Sequence, residues 1–407
     1  MFALLLGLVA SAAFAMLGAA APQAESSAPA VSAGLSPEYL YNGVHRAARI
    51  TVVSPKSFGT ISLALMDAQG NMLADRIEVH PGVVDLDEKL PAIWNIRRTA
   101  YLQMIEGEAP IGSALVLQPM LSRMIPVTQV RPHPVSGKPH SRIIDWKDEN
   151  DPIMQEPPKT ESSTQPAANG NKPAIGASTS PADQSQANST QPAATSSAPI
   201  ERLFTGLRMY PERDVVLHTT QGDIRLAMRP DEAPNTVWNF LELCRGGFYR
   251  DVAFHRIVPF TGGSPPHPFV IQAGDPTATG DGGPGYWLPM EDSKLPHDFG
   301  VISMARSDDP DSNGSQIFIA LSREGTARLD GQYCAFGYAV DGAQTILAIA
   351  QTRLADVAAG RPADPPLIRS AELMASPPRV LNQGRPDERV TPQSTPAQPR
   401  PSGRIPR

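Results

Sequence analysis

The chain has 407 residues, which exceeds one ordinary domain and leaves room for two once stretches unable to form a core are set aside. Charged residues make up 19% of the chain, the formal net charge is -6, and Lys and Arg are scattered, so we expect no nucleic-acid partner. The cysteines Cys244 and Cys334 lack metal-ligand spacing and are typical of buried apolar positions, with a single disulfide as the alternative.

Residues 1–24 are predicted to be a signal peptide or an N-terminal membrane anchor. The stretch from Phe2 to Ala21 carries no charged side chain, and Ala13-Phe14-Ala15 provides a small-x-small cleavage signal. Twenty uncharged residues could also span a bilayer without being cleaved, which is the alternative. We therefore expect an exported protein of the periplasm or cell surface, whose only membrane contact would be an uncleaved anchor.

Residues 35–130 are predicted to form a small antiparallel β domain, built as a sandwich, whose role the sequence does not reveal. Short apolar runs at 61–65, 77–79, 101–104 and 114–117 indicate strands. No cluster of His, Cys or carboxylates indicates a catalytic site there, so a structural or interaction module is favoured.

Two further segments are predicted to be disordered because they lack the apolar residues needed for a core. In the linker at 131–200, the stretch from Glu156 to Pro199 contains Ile175 as its only large apolar residue. The tail at 376–407 contains six Arg and eight Pro. Binding of this tail to an anionic surface or to a proline-recognising groove is the alternative to a solvated tail.

Residues 201–375 are predicted to form a second globular unit, an antiparallel barrel or sandwich capped by two helices. Runs at 215–220 and 224–228 indicate a β-hairpin. A helix is predicted from Pro234, with Val237, Phe240, Leu241 and Cys244 at helical spacing. A second helix is predicted at 345–352 and a closing strand at 367–369.

Common catalytic and metal-binding patterns fail in this unit. No GxSxG nucleophile turn is present, and a calcium-loop pattern beginning at Asp309 has Ala320 where the bidentate Glu belongs. The histidines His255, His267 and His297 lack metal-ligand spacing. The sequence therefore predicts neither a metal nor a cofactor.

A fixed cation among apolar residues and neutral amides remains as the candidate site. Arg256 is the cation, Phe269, Val270, Phe318 and Leu329 are apolar, and Gln272 and Gln316 are neutral hydrogen-bonding residues. This combination suits a reaction that needs no proton transfer.

These residues belong to motifs that resemble, in order, those of a cyclophilin, the cyclosporin-binding class of peptidyl-prolyl cis-trans isomerase. The resemblance covers residues 212–375 and leaves the first β domain unexplained. The matching words are Phe254-His255-Arg256, Phe269 with Gln272-Ala273-Gly274-Asp275, Gly282-Gly283-Pro284-Gly285-Tyr286, Glu291, His297, Gly300, Ser303-Met304-Ala305, Asn313-Gly314-Ser315-Gln316 with Phe318, Leu329-Asp330-Gly331 and Phe336-Gly337.

The resemblance implies a mainly β fold, an eight-stranded antiparallel barrel closed by two helices, and rotation about Xaa-Pro peptide bonds without a cofactor. It implies catalytic roles for Arg256 and Gln316, with Arg256 donating to the prolyl nitrogen. The substrate-binding residues that it implies are Phe269, Val270, Gln272, Gly280, Ala305, Arg306, Phe318, Leu329 and Tyr333.

Three positions depart from the family pattern. Arg328 stands where the best-known members carry Trp, so cyclosporin binding is expected to be weakened. Tyr333 replaces a His and keeps an aromatic hydrogen-bonding side chain. Residues 260–268 replace a single Gly, and they could form either a tolerated surface loop or a selectivity lid.

The sequence thus favours an isomerase that acts on proline-containing peptides and unfolded exported proteins and assists their folding. The alternative is a non-catalytic scaffold or chaperone module that grips proline segments.

Overall fold

The computed structural model describes residues 33–54, 60–122, 124–132, 139–148, 203–386 and 388–393, with only the backbone described between 124 and 148. The predicted signal or anchor, and the predicted linker from residue 149 onward, lie outside the described residues. Within the described ranges, no helix combines the length and hydrophobicity that a bilayer crossing requires.

The N-terminal unit consists of short antiparallel strands with one turn of helix, α1, at Leu86–Lys89 and a 3-10 helix at Pro91–Asn95. A two-stranded hairpin, β9 with β10, follows it, and a later strand, β11, returns to it. The strands are β1 (Gly34–Pro37), β2 (Tyr41–Gly43), β3 (Arg49–Val53), β4 (Ile61–Met66), β5 (Ile77–Val79), β6 (Gly82–Asp85), β7 (Ala100–Glu106), β8 (Ala109–Leu121), β9 (Met124–Pro132), β10 (Pro139–Asp148) and β11 (Phe204–Pro211).

These strands form two sheets that pack over a shared apolar core, which confirms the predicted sandwich-like domain. The three-stranded sheet has the order β1-β3-β6, and the six-stranded sheet has the order β2-β11-β8-β7-β4-β5. Leu35 and Ile50 from the first sheet and Leu63, Leu102 and Leu115 from the second are buried in one cluster. Their burial supplies the hydrophobic free energy that holds the two sheets together.

Strand β11 differs from its predicted place in the isomerase unit, because it completes the N-terminal sheet. It pairs with β8, placing Phe204 opposite Leu121, and with β2. Leu207 and Met209 are buried in the sandwich core, which explains the pairing. Part of the linker that is predicted to be disordered is also structured, since β10 pairs with β9 in a hairpin.

The second unit is a single antiparallel sheet with helices at its ends. Its helices are α2 at Pro234–Arg245, α3 at Arg323–Thr326 and α4 at Ala343–Ala350, with a 3-10 turn at Ala327–Leu329. Its strands are β12 (Arg213–Thr219), β13 (Gly222–Met228), β14 (Val252–Ala253), β15 (Arg256–Phe260), β16 (Pro268–Ala273), β17 (Val301–Met304), β18 (Ile317–Ala320), β19 (Ala335–Asp341) and β22 (Leu367–Ala375), beside a hairpin of β20 (Leu354–Asp356) and β21 (Arg361–Pro362).

This sheet closes into the predicted barrel. The strand order is β14-β22-β12-β13-β19-β17-β18-β16-β15, and the two outermost strands are separated only by Phe254 and His255. Strands β14 and β15 therefore act as one bent strand that pairs with β22 at one end and with β16 at the other. Counted in this way, the barrel has eight strands, as the resemblance to cyclophilins implies.

Helices α2 and α4 pack against the barrel strands. Pro234 begins α2, and Val237, Phe240 and Leu241 are buried as their spacing predicts. Helix α4 begins two residues before its predicted start, directly after Gly342. Gly342 has φ +94°, and a Cβ on it would lie 2.4 Å from the carbonyl oxygen of Asp223, so glycine is required there.

The six-stranded sheet is buried on both faces, because its second face packs against the barrel unit. On β7, Leu102 faces the sandwich core, while Tyr101 and Ile105 belong to the barrel core. On β8, Leu115 and Val116 divide in the same way. These runs are therefore nearly continuous in apolar residues, and the two units form one packed body.

The tail at 376–407 is predicted to be disordered, and this is wrong for its described part. Its described residues from 376 onward pack into the junction between the two units. Arg379 donates two hydrogen bonds to Glu212, and both side chains are 1% exposed. Arg385 binds Asp214 with a nitrogen–oxygen distance of 2.5 Å. The Arg379 guanidinium also lies 3.3 Å from the ring centroid of Tyr101. Two buried carboxylates thus hold a segment whose composition resembles a solvated tail.

Candidate active site

An open groove of about 590 Å³ lies on the barrel beside β15 and β16. Every residue that the sequence assigns to the site lines this groove except Gln316, which is hydrogen-bonded to two of the site residues. The lining residues are His255, Arg256, Phe269, Val270, Gln272, Ala278, Thr279, Gly280, Ala305, Arg306, Phe318, Arg328, Leu329, Tyr333, Ala359 and Arg361.

Strand register brings the polar residues of the groove together. Arg256 on β15 lies opposite Gln272 on β16, and Gln272 lies opposite Phe318 on β18. Because side chains alternate along a strand, Val270 and Gln272 both face the groove while Ile271 is buried in the barrel core. Residues distant in sequence thereby form one surface.

A row of hydrogen bonds fixes the orientation of the two amides. The Arg256 guanidinium donates to Oε1 of Gln272 at 3.3 Å, and Nε2 of Gln272 donates to Oε1 of Gln316 at 2.9 Å. Nε2 of Gln316 then donates to the carbonyl oxygens of Gly280 at 2.7 Å and Gly282 at 2.9 Å. The Gln272 carbonyl is therefore directed at the arginine, which it holds without neutralising its charge.

The apolar part of the groove is a small cluster of Val270, Phe318 and Leu329, with Phe269 and Tyr333 packed against it. The rings of Phe318 and Tyr333 meet edge to face with centroids 5.6 Å apart. Such a surface suits a compact aliphatic ring, which loses hydration when it binds there.

His297 holds Phe318 from beneath, since the two rings stack with centroids 5.7 Å apart. Nδ1 of His297 lies 2.9 Å from Asp330, and Nε2 lies 3.0 Å from the Ser303 hydroxyl. Burial lowers the pKa of His297 below its ordinary value, against the raising effect of Asp330. Burial acts to raise the pKa of Asp330, but hydrogen bonds from Arg323 and His297 hold it below its ordinary range.

Arg306 uses its side chain to hold backbone at the edge of the groove. Its guanidinium donates to the carbonyl oxygens of Gln332, Ser307 and Asp308 and lies 4.7 Å from the ring centroid of Tyr333. The resemblance implies a substrate-binding role for Arg306, and in the structure its side chain keeps the backbone at this edge in place.

A buried carboxylate shapes the loop that contains Gly280. Asp275 accepts hydrogen bonds from the backbone N–H groups of Thr277 at 2.7 Å and of Gly280 at 2.6 Å. Burial acts to raise the pKa of Asp275, but these hydrogen bonds and that of the Thr277 hydroxyl hold it below its ordinary range. The carboxylate thus stays charged and keeps the Gly280 carbonyl directed at Gln316.

The groove contains residues that sequence reasoning did not assign to it. Ala359 and Arg361 come from the β20–β21 segment, which the N–H of Ile257 anchors to the carbonyl of Gly360 at 2.7 Å. No local pattern indicated this contact. His255 was visible within its motif, directly before Arg256, but it received no binding role.

The insert at 260–268 extends the β15–β16 hairpin and contributes no residue to the groove lining. Phe260 lies opposite Pro268, and the N–H of Thr261 donates to the carbonyl of His267 at 2.7 Å. These contacts close the loop on itself, as a tolerated surface loop would be closed.

The described residues contain no cluster of three or more His, Cys, Asp or Glu side chains suited to a metal ion. Cys244 and Cys334 are buried and unbridged. Burial raises the pKa of the Cys334 thiol to about 12, so this thiol is not an activated nucleophile.

The barrel unit is similar in sequence to known proteins. Residues 214–373 match the family model for cyclophilin type peptidyl-prolyl cis-trans isomerases. The chain is 42% identical over 137 residues to peptidyl-prolyl cis-trans isomerase 10 of Caenorhabditis elegans, covering 32% of this chain and 78% of the relative. It is 41% identical over 126 residues to a peptidyl-prolyl cis-trans isomerase of Synechococcus elongatus, covering 31% of this chain and 79% of the relative.

A solved cyclophilin type isomerase from Cryptosporidium parvum is similar at 31% identity and a TM-score of 0.36, covering 40% of this chain and 99% of that one. The motifs in the groove and the two relatives, each matched over more than two thirds of its length, identify the class of enzyme. The chain belongs to the cyclophilin-type peptidyl-prolyl cis-trans isomerases.

Proposed function

We propose that this isomerase acts on Xaa-Pro bonds of exported proteins and assists their folding, with Arg256 as the catalytic donor. The observation that carries the proposal is the setting of this arginine. Its guanidinium is exposed at the groove, hydrogen-bonded only to the neutral Gln272 among the described residues, and forms no ion pair within them. It therefore retains both its charge and donors for a substrate.

The reaction needs a twisted peptide bond to be stabilised. Amide resonance keeps the bond planar behind a barrier of about 18 to 20 kcal/mol, and uncatalysed isomerisation takes on the order of 10 to 100 s. At the twisted transition state the prolyl nitrogen regains its lone pair. A donor directed at that nitrogen binds the twisted form better than either planar form, which is the condition for catalysis.

The other site residues supply the binding that the rotation requires. Val270, Phe318 and Leu329 would hold the proline ring, with Phe269 and Tyr333 at its sides. Gln272 and the backbone near Arg306 would hold the peptide groups of the substrate. Gly280 would line the place of the residue before proline, Gln316 would hold Gly280 and Gln272 in position by its hydrogen bonds, and Ala305 would pack beside the cluster. No proton moves in this scheme, and none of these groups needs a changed charge.

The full chain should accelerate cis-trans exchange of an Ala-Ala-Pro-Phe peptide, measured by exchange NMR. Arg256→Ala should lower kcat/KM about 100-fold or more, by analogy with removal of one transition-state donor. Arg256→Lys keeps the charge and should recover only part of this loss, because an ammonium lacks the planar donor fork. Arg353→Ala is the matched control, since Arg353 is exposed and does not line the groove.

The competing function is a scaffold or holdase that grips proline segments without catalysis. A binding role has no evident need for an arginine whose charge is left free beside an apolar pocket, so we favour the enzyme. If the wild-type chain bound the peptide but left its exchange rate unchanged, the scaffold would be the better description.

Export is supported by the uncharged stretch from Phe2 to Ala21 and its Ala13-Phe14-Ala15 signal. The proposed location is the periplasm or the cell surface, and the proposed clients are unfolded proline-containing proteins. N-terminal sequencing of the mature protein distinguishes a cleaved signal from a retained anchor. Recovery of the protein only in the cytoplasm would contradict export while leaving the isomerase assignment untouched.

A further inference from the structure

We propose that the groove selects peptides with a carboxylate directly after the proline, that Arg328 recognises this carboxylate, and that Arg361 adds to the positive potential that attracts it. The inference rests on the proposed function, because it names the substrate class of the same site. It starts from the charges that line the groove and from the partners that each of them has.

The groove is strongly basic on a chain that is acidic as a whole. Four arginines, Arg256, Arg306, Arg328 and Arg361, line it, and none of its lining residues is Asp or Glu. The formal net charge of the chain is -6. A local positive potential in a concave surface raises the concentration of anionic ligands at that surface.

The four arginines differ in what they are free to bind. Arg306 is occupied by three backbone carbonyls, and Arg256 is held by Gln272 at the position proposed for the prolyl nitrogen. Arg328 and Arg361 have neither a side-chain hydrogen bond nor an ion pair with any residue in the described ranges, and both are exposed. These two guanidinium groups are therefore the hydrogen-bond donors of the groove that are available to bind an anion.

The position of Arg328 gives the selectivity a direction. Its guanidinium lies 4.8 Å from the ring centroid of Phe269. Gln272 lies three residues further along β16, about 10 Å at the rise of a strand, and leads to Gln316 and Gly280. If the residue before proline occupies the Gly280 end, Arg328 meets the residue after it.

An exposed carboxylate stands next to the Gly280 end of the groove. Asp281 directly follows Gly280 in the chain and is exposed, although it is not part of the groove lining. A carboxylate on the residue before the proline would therefore be repelled by Asp281, whereas one after the proline is attracted by Arg328. The charge near the groove therefore differs between its two ends. The preference for a peptide then depends on whether its carboxylate stands before or after the proline.

The size of the effect follows from solvent exposure. Exposed ion pairs change an equilibrium by up to about fivefold at low salt and lose much of this when screened. We therefore expect about a three- to fivefold higher kcat/KM for Ala-Ala-Pro-Glu-Ala than for Ala-Ala-Pro-Gln-Ala at low ionic strength. The ratio should approach one in 0.5 M salt, and Ala-Glu-Pro-Ala-Ala should show no such advantage.

The test measures this ratio by exchange NMR with the full-length wild type and with Arg328→Gln, Arg361→Gln and the double variant. The double variant should bring the ratio close to one, while Arg353→Gln, an exposed arginine outside the groove, should keep it. A ratio of one in the wild type, or an unchanged ratio in the double variant, would overturn the inference.

Peptide affinities from NMR titration make the outcome independent of turnover. Turnover of the neutral peptide decides the proposed function, whereas the ratio of affinities for the acidic and neutral peptides decides the selectivity. The chain could bind peptides without turnover, prefer the acidic peptide and lose that preference in the double variant. That result would refute the enzyme mechanism and support the role of the two arginines in selectivity.

Discussion

Arg379 and Glu212 form an ion pair at the junction of the two units, with nitrogen–oxygen distances of 2.9 and 2.8 Å and side chains 1% exposed. Glu212 is the single residue between the last strand of the sandwich sheet and the first strand of the barrel, and Arg379 follows the last barrel strand. The pair therefore joins both units to the C-terminal segment.

Removal of Arg379 should destabilise the folded chain strongly, because Glu212 stays buried and keeps only the longer 3.4 Å contact from Arg385 among the described residues. We expect Arg379→Met to lower the free energy of unfolding by about 3 to 5 kcal/mol in urea titrations. Arg353→Met, at an exposed arginine, should change it by about 0.5 kcal/mol or less. A loss of less than about 1 kcal/mol for Arg379→Met would contradict the importance of the pair.

The amide row should act together with Arg256 in catalysis. Gln272→Leu removes the acceptor that orients the guanidinium, so we expect kcat/KM to fall about tenfold. In a chain that already carries Arg256→Ala, the same change should cost much less, because the two residues act through one contact. Fully additive losses would show that Gln272 acts independently, and Gln351→Leu on the exposed end of α4 is the control.

His255 should make stability depend on pH. Burial lowers the pKa of His255 below its ordinary value of 6.5, so the unfolded chain binds this proton more readily than the folded chain. Its contribution to stability is therefore complete above pH 6.5 and declines as the pH falls from 6.5 towards the folded-state pKa. The urea midpoint of the wild type should fall from pH 7.5 to 5.5 by more than that of His255→Phe.

The exposed His80 provides the control for this measurement, and His80→Gln should retain the wild-type pH dependence. An equal fall of the midpoint in the wild type and in His255→Phe would mean that other groups cause the pH dependence.

Cyclosporin should bind weakly because Arg328 occupies the place of an aromatic ring. In the family pattern a Trp stands there and packs chiefly on the drug, whereas here a guanidinium lies over Phe269. Arg328→Trp should tighten cyclosporin binding at least about tenfold, measured by inhibition of peptide isomerisation. Nanomolar inhibition of the wild-type chain would contradict this expectation.

The insert should be dispensable for substrate choice. Because Phe260 lies opposite Pro268, a two-residue Asn-Gly turn can replace Thr261–His267 and close the hairpin. The ratio of kcat/KM values across a panel of Xaa-Pro peptides should stay the same after this replacement. A changed order of preference would restore the interpretation of the insert as a lid.

Much of the barrel could be predicted because its signals are local. Pro234 with Val237 and Phe240 defined α2, and the hairpin preceding that helix followed from two alternating runs. The grouping of Arg256, Gln272 and Gln316 followed from family motifs, and the structure brings these side chains together. Their catalytic roles remain predictions.

The rest depended on contacts between distant segments, which leave no local pattern. Strand β11 was assigned to the wrong unit because its partners, β8 and β2, precede it by a long stretch of chain. Arg379 and Arg385 resembled a solvated tail, since only the folded chain reveals the buried Glu212 and Asp214. Arg361 joins the groove through a hairpin that follows Arg256 by about a hundred residues.

The pairing of β8 with β11 determines where the chain between them is attached to the fold. Leu121 lies opposite Phe204, and the N–H of Ser122 donates to the carbonyl of Leu203 at 2.9 Å, so the chain leaves and re-enters the sheet at one point. The covalent connection between the two units is therefore Glu212, between β11 and β12, and the chain from residue 123 to residue 202 does not join them. Cleavage within that stretch would leave two fragments that still pair through β8 and β11.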